Sequence, residues 1–157
     1  MIFLLLFVGC GIAMAVALYM EHVMGMEPCP LCIFQRVMVI AAGGIGLVAG
    51  VHNPHATGIR IYALLLTVAA VIGGLFAGRQ LWLQSLPKDQ VPACGPGLDY
   101  LMDVFSFVEV FEMVLAGDGA CAEVHWVFLG LSIPGWTMVG FVGLAAIGLA
   151  LAIKPGR

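Results

Sequence analysis

Residues Ile2–Met20 read IFLLLFVGCGIAMAVALYM, a run without one charged side chain. At 1.5 Å per residue, a helix of this length crosses a hydrocarbon core of about 30 Å. Within hydrocarbon every backbone N–H and C=O must find its partner inside the protein, which leaves helices or closed barrels. The chain shows long apolar runs, not alternation of period two, so helices are expected. Ala15, Val16 and Ala17 would suit a signal-peptide cleavage site. No Lys or Arg precedes Arg36, however, and the apolar run fills a whole span, so Ile2–Met20 is read as the first of several spans.

Three further runs, at about 33–51, 61–83 and 133–153, have the same character. The expected fold is an all-α membrane protein, a four-transmembrane-helix bundle forming one integral domain over residues 1–157. A short outer loop covers about 21–32, and a long one, containing an amphipathic helix, covers about 84–132. The segment from His52 to Gly58 is expected to be a polar turn, with Asn53-Pro54 and Gly58 stopping one helix and starting the next. Composition agrees: of 157 residues, 62% are hydrophobic and 10% charged, with a mean hydropathy of +1.11, far from the soluble average. The six Lys and Arg form no basic stripe, which excludes nucleic-acid binding.

Arg60, Lys154 and Arg157 fall on one side of this arrangement. All nine acids fall on the other, with Lys88 as its clearest cation. Cations in short loops stay cytoplasmic, so both termini are expected in the cytoplasm and both cysteine-bearing loops outside. In the long loop, Asp99, Asp103, Ser106, Glu109 and Glu112 recur at steps of four and three, which predicts one amphipathic helix over 98–115. Such a helix either lies flat at the membrane interface or packs on the protein.

Five cysteines carry the chemistry. Cys10 lies inside the first span and reads as a small apolar packing side chain. Cys29-Pro30-Leu31-Cys32 stands where the first outer loop enters the second span, with Pro30 suited to the first helical turn. Unsatisfied N–H groups and the helix dipole favour a thiolate there, and Arg36 lies one turn beyond Cys32 on the same face. Cys32 is therefore the candidate for a stabilised thiolate. An inert disulfide or half of a metal site is the competing reading, and Ile33 in place of His does not fit haem attachment. Cys94 and Cys121 flank the loop helix among Gly and Pro residues, which predicts exposed, mobile backbone. Their spacing alone favours a static loop staple over a redox pair. A zinc site with His125 lacks close ligand spacing, and no metal is expected.

His22-Val23-Met24, followed by Glu27-Pro28-Cys29-Pro30-Leu31-Cys32-Ile33-Phe34-Gln35-Arg36, with Cys94 and Cys121 in the second outer loop of a four-span chain, resembles the disulfide bond formation protein B (DsbB) family. These are quinone reductases of the bacterial inner membrane that reoxidise the periplasmic oxidant DsbA, and the resemblance covers essentially the whole chain. It implies that a Cys94–Cys121 disulfide meets a reduced DsbA-like partner, with Cys94 forming the mixed disulfide. Electrons then pass through Cys29 to the Cys29–Cys32 pair. It further implies that Cys32 reacts with a bound ubiquinone or menaquinone whose ring oxygen Arg36 holds. Gln80 stands where the family is expected to carry His, and it and the neighbouring Arg79 are the third-span candidates for a quinone contact. Two other function classes stay open: a four-helix membrane protein with purely structural loop disulfides, and a thiol reductase related to vitamin K epoxide reductase. The DsbB-like order of both cysteine pairs argues against the last.

Overall fold

The computed structural model describes residues 1–87, 89–91, 98–117, 119–124 and 126–154. Cys94, Lys88, His125 and Arg157 lie outside the described residues. Four long helices, α1 (Ile2–His22), α2 (Pro30–His52), α3 (Ala56–Gln84) and α7 (Ile133–Ile153), are long and apolar enough to cross a membrane. Three short helices, α4 (Leu98–Val104), α5 (Phe107–Ala116) and α6 (Gly119–Ala122), and a two-stranded hairpin, β1 (Val127–Phe128) and β2 (Leu131–Ser132), occupy the long loop. The fold is the expected all-α membrane bundle.

α1 packs on α2, α2 on α3, and α3 on α7. α2 and α3 are thereby central, and the outer helices expose most of their apolar side chains, among them Leu5, Val8, Ile12, Val139 and Val142. Helices apolar on all sides need lipid or protein around them. Small residues set the close approaches. Gly46 lies so near the α1 backbone that an added Cβ would sit 2.9 Å from the Phe3 carbonyl oxygen, and Cys10 is buried in the same α1–α2–α3 cluster with Phe3, Leu6 and Leu66.

On the other flank the ring of Phe141 from α7 is seated directly against Gly73 of α3, where any Cβ would collide with it. Gly74 differs, since its added Cβ would meet Met138 Sδ at an ordinary 3.8 Å. Gly73→Ala is expected to destabilise the bundle by about 1–3 kcal/mol, as overpacking does. Gly74→Ala should be neutral or stabilising through helix propensity. Unfolding of the two variants in mixed micelles checks the contrast.

Two boundaries differ from expectation. The turn after α2 is confined to residues 53–55: Asn53 takes the left-handed conformation at φ 46°, and α3 already begins at Ala56. The helix thus starts about a turn early and, at 1.5 Å per residue, is roughly 43 Å long. Its far end carries Leu83 and Gln84 among the loop residues, where Gln84 bonds with Glu123 and Ser132. The loop helix is likewise two helices. Ser106 adopts extended backbone at φ −67°, ψ 154°, and its N–H and hydroxyl both donate to the Glu109 carboxylate, at 2.9 and 2.8 Å. This capping box starts a new helix and holds the Glu109 carboxyl below its usual range.

α5 packs on the protein. Val110 and Val114 are buried in one cluster with Cys29, Leu31, Phe76, Leu83, Leu101 and Cys121. Phe111 meets the edges of Phe34 and Phe76 at centroid distances of 5.9 and 6.3 Å. Val108 on the opposite face is exposed, as is Phe107 in the first turn. In the hairpin, Leu129 and Gly130 both have positive φ, 51° and 81°, the form that joins two strands by two residues. Trp126, Phe128 and Trp136 gather beside it, with Trp136 Nε1 donating to the Phe128 carbonyl at 3.1 Å.

Candidate functional site

α2 begins with Cys29 as N-cap, at φ −70°, ψ 162°, and Pro30 as its first residue. Cys32 therefore sits in the first turn, and Gln35 and Arg36, three and four residues on, share its side of the helix. The Cys29 thiol donates to Cys32 Sγ at 3.0 Å. α6, packed against α2 and α3, brings in a third sulfur. Cys121 is fully buried and hydrogen-bonds with Cys29. The expected exposed setting of Cys121 is thus corrected: packing against Leu83, Val110 and Val114 removes it from solvent. The neighbouring sulfurs of Cys121 and Cys32, together with burial, hold the Cys29 thiol far above its ordinary range.

Gln80 reaches the pair from α3. Its amide nitrogen lies 3.2 Å from Cys32 Sγ and 3.3 Å from Cys29 Sγ, so it addresses the sulfurs themselves. Behind it, Gln35 Nε2 donates to Gln80 Oε1 at 2.7 Å, and the Thr137 hydroxyl of α7 donates to Gln35 Oε1 at 2.6 Å. Arg36 forms an ion pair with Glu21 at the end of α1 and donates to the Ala17 carbonyl at 3.3 Å. Arg79 points elsewhere. Its guanidinium donates to the carbonyls of Leu115 and Ala116, at 2.9 and 2.8 Å, and lies 4.2 Å from the centroid of the Trp82 ring. It closes the C-terminal end of α5, where a cation is favoured.

A cavity of about 130 Å³ opens beside the sulfurs, lined by Cys29, Cys32, Gln35, Arg36, Gln80 and Thr137 among others. It adjoins an apolar groove of about 520 Å³ between α1 and α7. Ala13, Ala17, Met20 and Val39 line both. A chamber with a largely apolar wall that also carries two thiols and a guanidinium, continued by an apolar channel between two membrane-crossing helices, fits a molecule with a small redox head and a long apolar tail. Among the described residues, no group of three or more His, Cys, Asp or Glu is placed to hold a metal ion.

Of the residues singled out from sequence, Cys29, Cys32, Cys121, Gln80 and Arg36 come together, and Arg79 does not. Gln35, Thr137 and Glu21 were not anticipated. Gln35 and Thr137 carried a readable signal, since each is a polar side chain within an otherwise apolar span. Glu21 did not, being one acid among several in the outer loops.

The profile of the family described as "Disulfide bond formation protein DsbB" matches residues 1–151. A "Disulfide bond formation protein B" from Marinobacter nauticus is 56% identical over 98% of this chain and 91% of its own. Proteins of the same description from Nitrosococcus oceani and Hahella chejuensis are 54% and 53% identical, over 94% and 93% of this chain and 88% of each relative.

Proposed function

As the chain belongs to the DsbB family of disulfide bond formation proteins, multi-pass membrane proteins whose membership implies thiol oxidoreductase activity, we propose that it reoxidises a periplasmic DsbA-like dithiol and delivers the electrons to a membrane quinone. The observation that carries this reading is the meeting of Cys121 with the Cys29–Cys32 pair, beside a cavity that Arg36 also lines. A loop staple has no need of such a junction. In the cycle, the partner's two thiols reduce the Cys94–Cys121 disulfide through a mixed disulfide at Cys94, and the partner leaves as a disulfide. The loop dithiol then reduces the Cys29–Cys32 disulfide, entering at Cys29, which touches Cys121. Two electrons and two protons finally leave the Cys29–Cys32 dithiol, and the quinone supplies the acceptor for them.

The chain's own residues prepare that last step. Cys32 lies at the helix N-terminus, where dipole and N–H groups favour a thiolate, and the Gln80 amide adds a donor to its sulfur. Arg36 is the side chain in the cavity able to hold a ring oxygen by a charged hydrogen bond, exchanging its Glu21 contact for it. The acceptor is thermodynamically necessary. DsbA is established as a strong oxidant at about −120 mV, and every 30 mV against the flow costs about 1.4 kcal/mol for two electrons.

The cysteine ends of the helices are assigned to the periplasm and both termini to the cytoplasm of an inner membrane, because Arg60 and Lys154 lie at the opposite helix ends. Stopped-flow absorbance of the purified protein, given ubiquinone or menaquinone analogues and reduced DsbA, tests the whole reading. Quinone should be consumed in equal amount to the partner disulfide formed. Folded, oxidised protein that leaves quinone untouched would overturn it.

A further inference from the structure

The Thr137–Gln35–Gln80 chain joins α7, α2 and α3 and ends on two sulfurs. Gln35 and Gln80 are each 3% exposed. A buried amide needs donors facing acceptors at both ends, so the direction of one bond dictates the next. As it stands, Thr137 donates to Gln35, Gln35 to Gln80, and Gln80 to the sulfurs. Every link donates toward the cysteines, which suits an acceptor-only thiolate.

The same atoms permit a second closure. The Pro134 carbonyl lies 3.0 Å from Thr137 Oγ1 and offers the hydroxyl another acceptor. With the hydroxyl turned there, Gln35 donates its NH2 to Thr137 Oγ1 and Gln80 donates its NH2 to Gln35. The Gln80 oxygen is then left to accept an S–H. Cys32 Sγ is already 3.5 Å from Gln80 Oε1, within reach for a thiol donor.

We propose that Thr137, Gln35 and Gln80 form a reversible positioning relay, donating toward Cys32 when it is a thiolate and accepting from it when it is a thiol. The relay deepens the proposed function and rests on Cys32 as the thiol that faces the acceptor. It matches both protonation states with neutral groups, where an ionised side chain among membrane-spanning helices is costly. Among the described residues, the titratable and charged groups around Cys32 are Cys29 and, beyond it, Cys121 of α6, Arg36 of α2 with its partner Glu21 of α1, and Glu27 and Glu123 in the cavity wall. α7 contributes no titratable side chain, so Thr137 acts through its hydroxyl alone.

Thr137→Val keeps the side chain's shape and removes the hydroxyl, which frees Gln35 to turn. Site-resolved alkylation of Cys32 by iodoacetamide, read by mass spectrometry on the reduced full-length protein in micelles, reports the thiolate directly. At pH 7 the rate should fall about tenfold and the pH midpoint rise, as expected for one lost hydrogen bond to a charged group. Thr137→Ser should restore both. Gln35→Met interrupts the chain one link nearer and should shift the profile at least as far, so it tests the relay even if Thr137→Val does not fold. A purely structural role would lower unfolding midpoints without moving the pH profile. An unchanged profile in the folded variants, or an equal shift in Thr137→Ser, overturns the relay. Quinone reduction by the wild-type protein, read in parallel, tests the proposed function separately.

Discussion

A covalent adduct with an oxidised DsbA-type partner is expected to accumulate when Cys121 is replaced by serine. In the proposed cycle Cys94 joins the partner, and Cys121 is the thiol set free. It can attack back, or pass the electrons to Cys29, whose sulfur it touches. In Cys121→Ser the lone Cys94 thiol attacks the partner's disulfide, breaking that S–S bond as the mixed one forms, and the chain no longer holds the thiol that would resolve the adduct. Most of the protein should migrate as the adduct on non-reducing gels, and turnover should fall to background. Cys94→Ser should form no adduct while still binding quinone, because the two tasks belong to separate cysteine pairs. Folded Cys121→Ser protein that yields no adduct with active partner would favour the loop-staple reading.

Replacing Arg36 by alanine is expected to raise the KM for quinone by roughly 10- to 100-fold, the cost of one hydrogen bond to a charged group at about 1.5–3 kcal/mol. Exchange between the partner and the loop cysteines should be nearly unchanged. The guanidinium is held by Glu21 and the Ala17 carbonyl at the end of α1, so it is positioned at the cavity and not splayed toward headgroups. Arg36→Lys should rescue partly, since it keeps the charge but lacks the planar donor fork. An arginine that serves only as an interfacial anchor predicts the opposite pattern: unchanged quinone kinetics in a stably inserted Arg36→Ala protein. Titrations with a water-soluble quinone analogue separate the two.

The single loop helix expected over residues 98–115 shows how a correct periodicity can mislead. The polar positions do recur at helical spacing, but Ser106 and Glu109, both on the surface, also serve as a cap and its box partner and so divide the run into two helices. The Ser-x-x-Glu pattern was readable there. The hairpin after α6 was not, because Leu129 sits at a positive φ that its residue type disfavours, and the strands are held by Trp136 from the next helix. Arg79, adjacent to Gln80, shows the limit of choosing between neighbours: one helical step rotates a side chain by about 100°. Gln80 consequently faces α2 while Arg79 faces the end of α5.

By itself the amino-acid sequence determined the four membrane helices, the family, and a Cys-Pro-Leu-Cys motif opening a helix with Arg36 one turn on. Each rests on properties local in the chain, namely hydropathy over about twenty residues and side chains three or four apart. Tertiary structure alone decided that Cys121 is buried against Cys29, that Arg36 is held by Glu21, and that Thr137, Gln35 and Gln80 line up on the sulfurs. The Thr137–Gln35 bond spans 102 residues of sequence and the Gln80–Cys32 bond 48. Bonds between partners so distant in sequence depend on which faces of α2, α3 and α7 meet. That choice is made by side-chain packing such as Phe141 against Gly73, where neither hydropathy nor spacing carries the information.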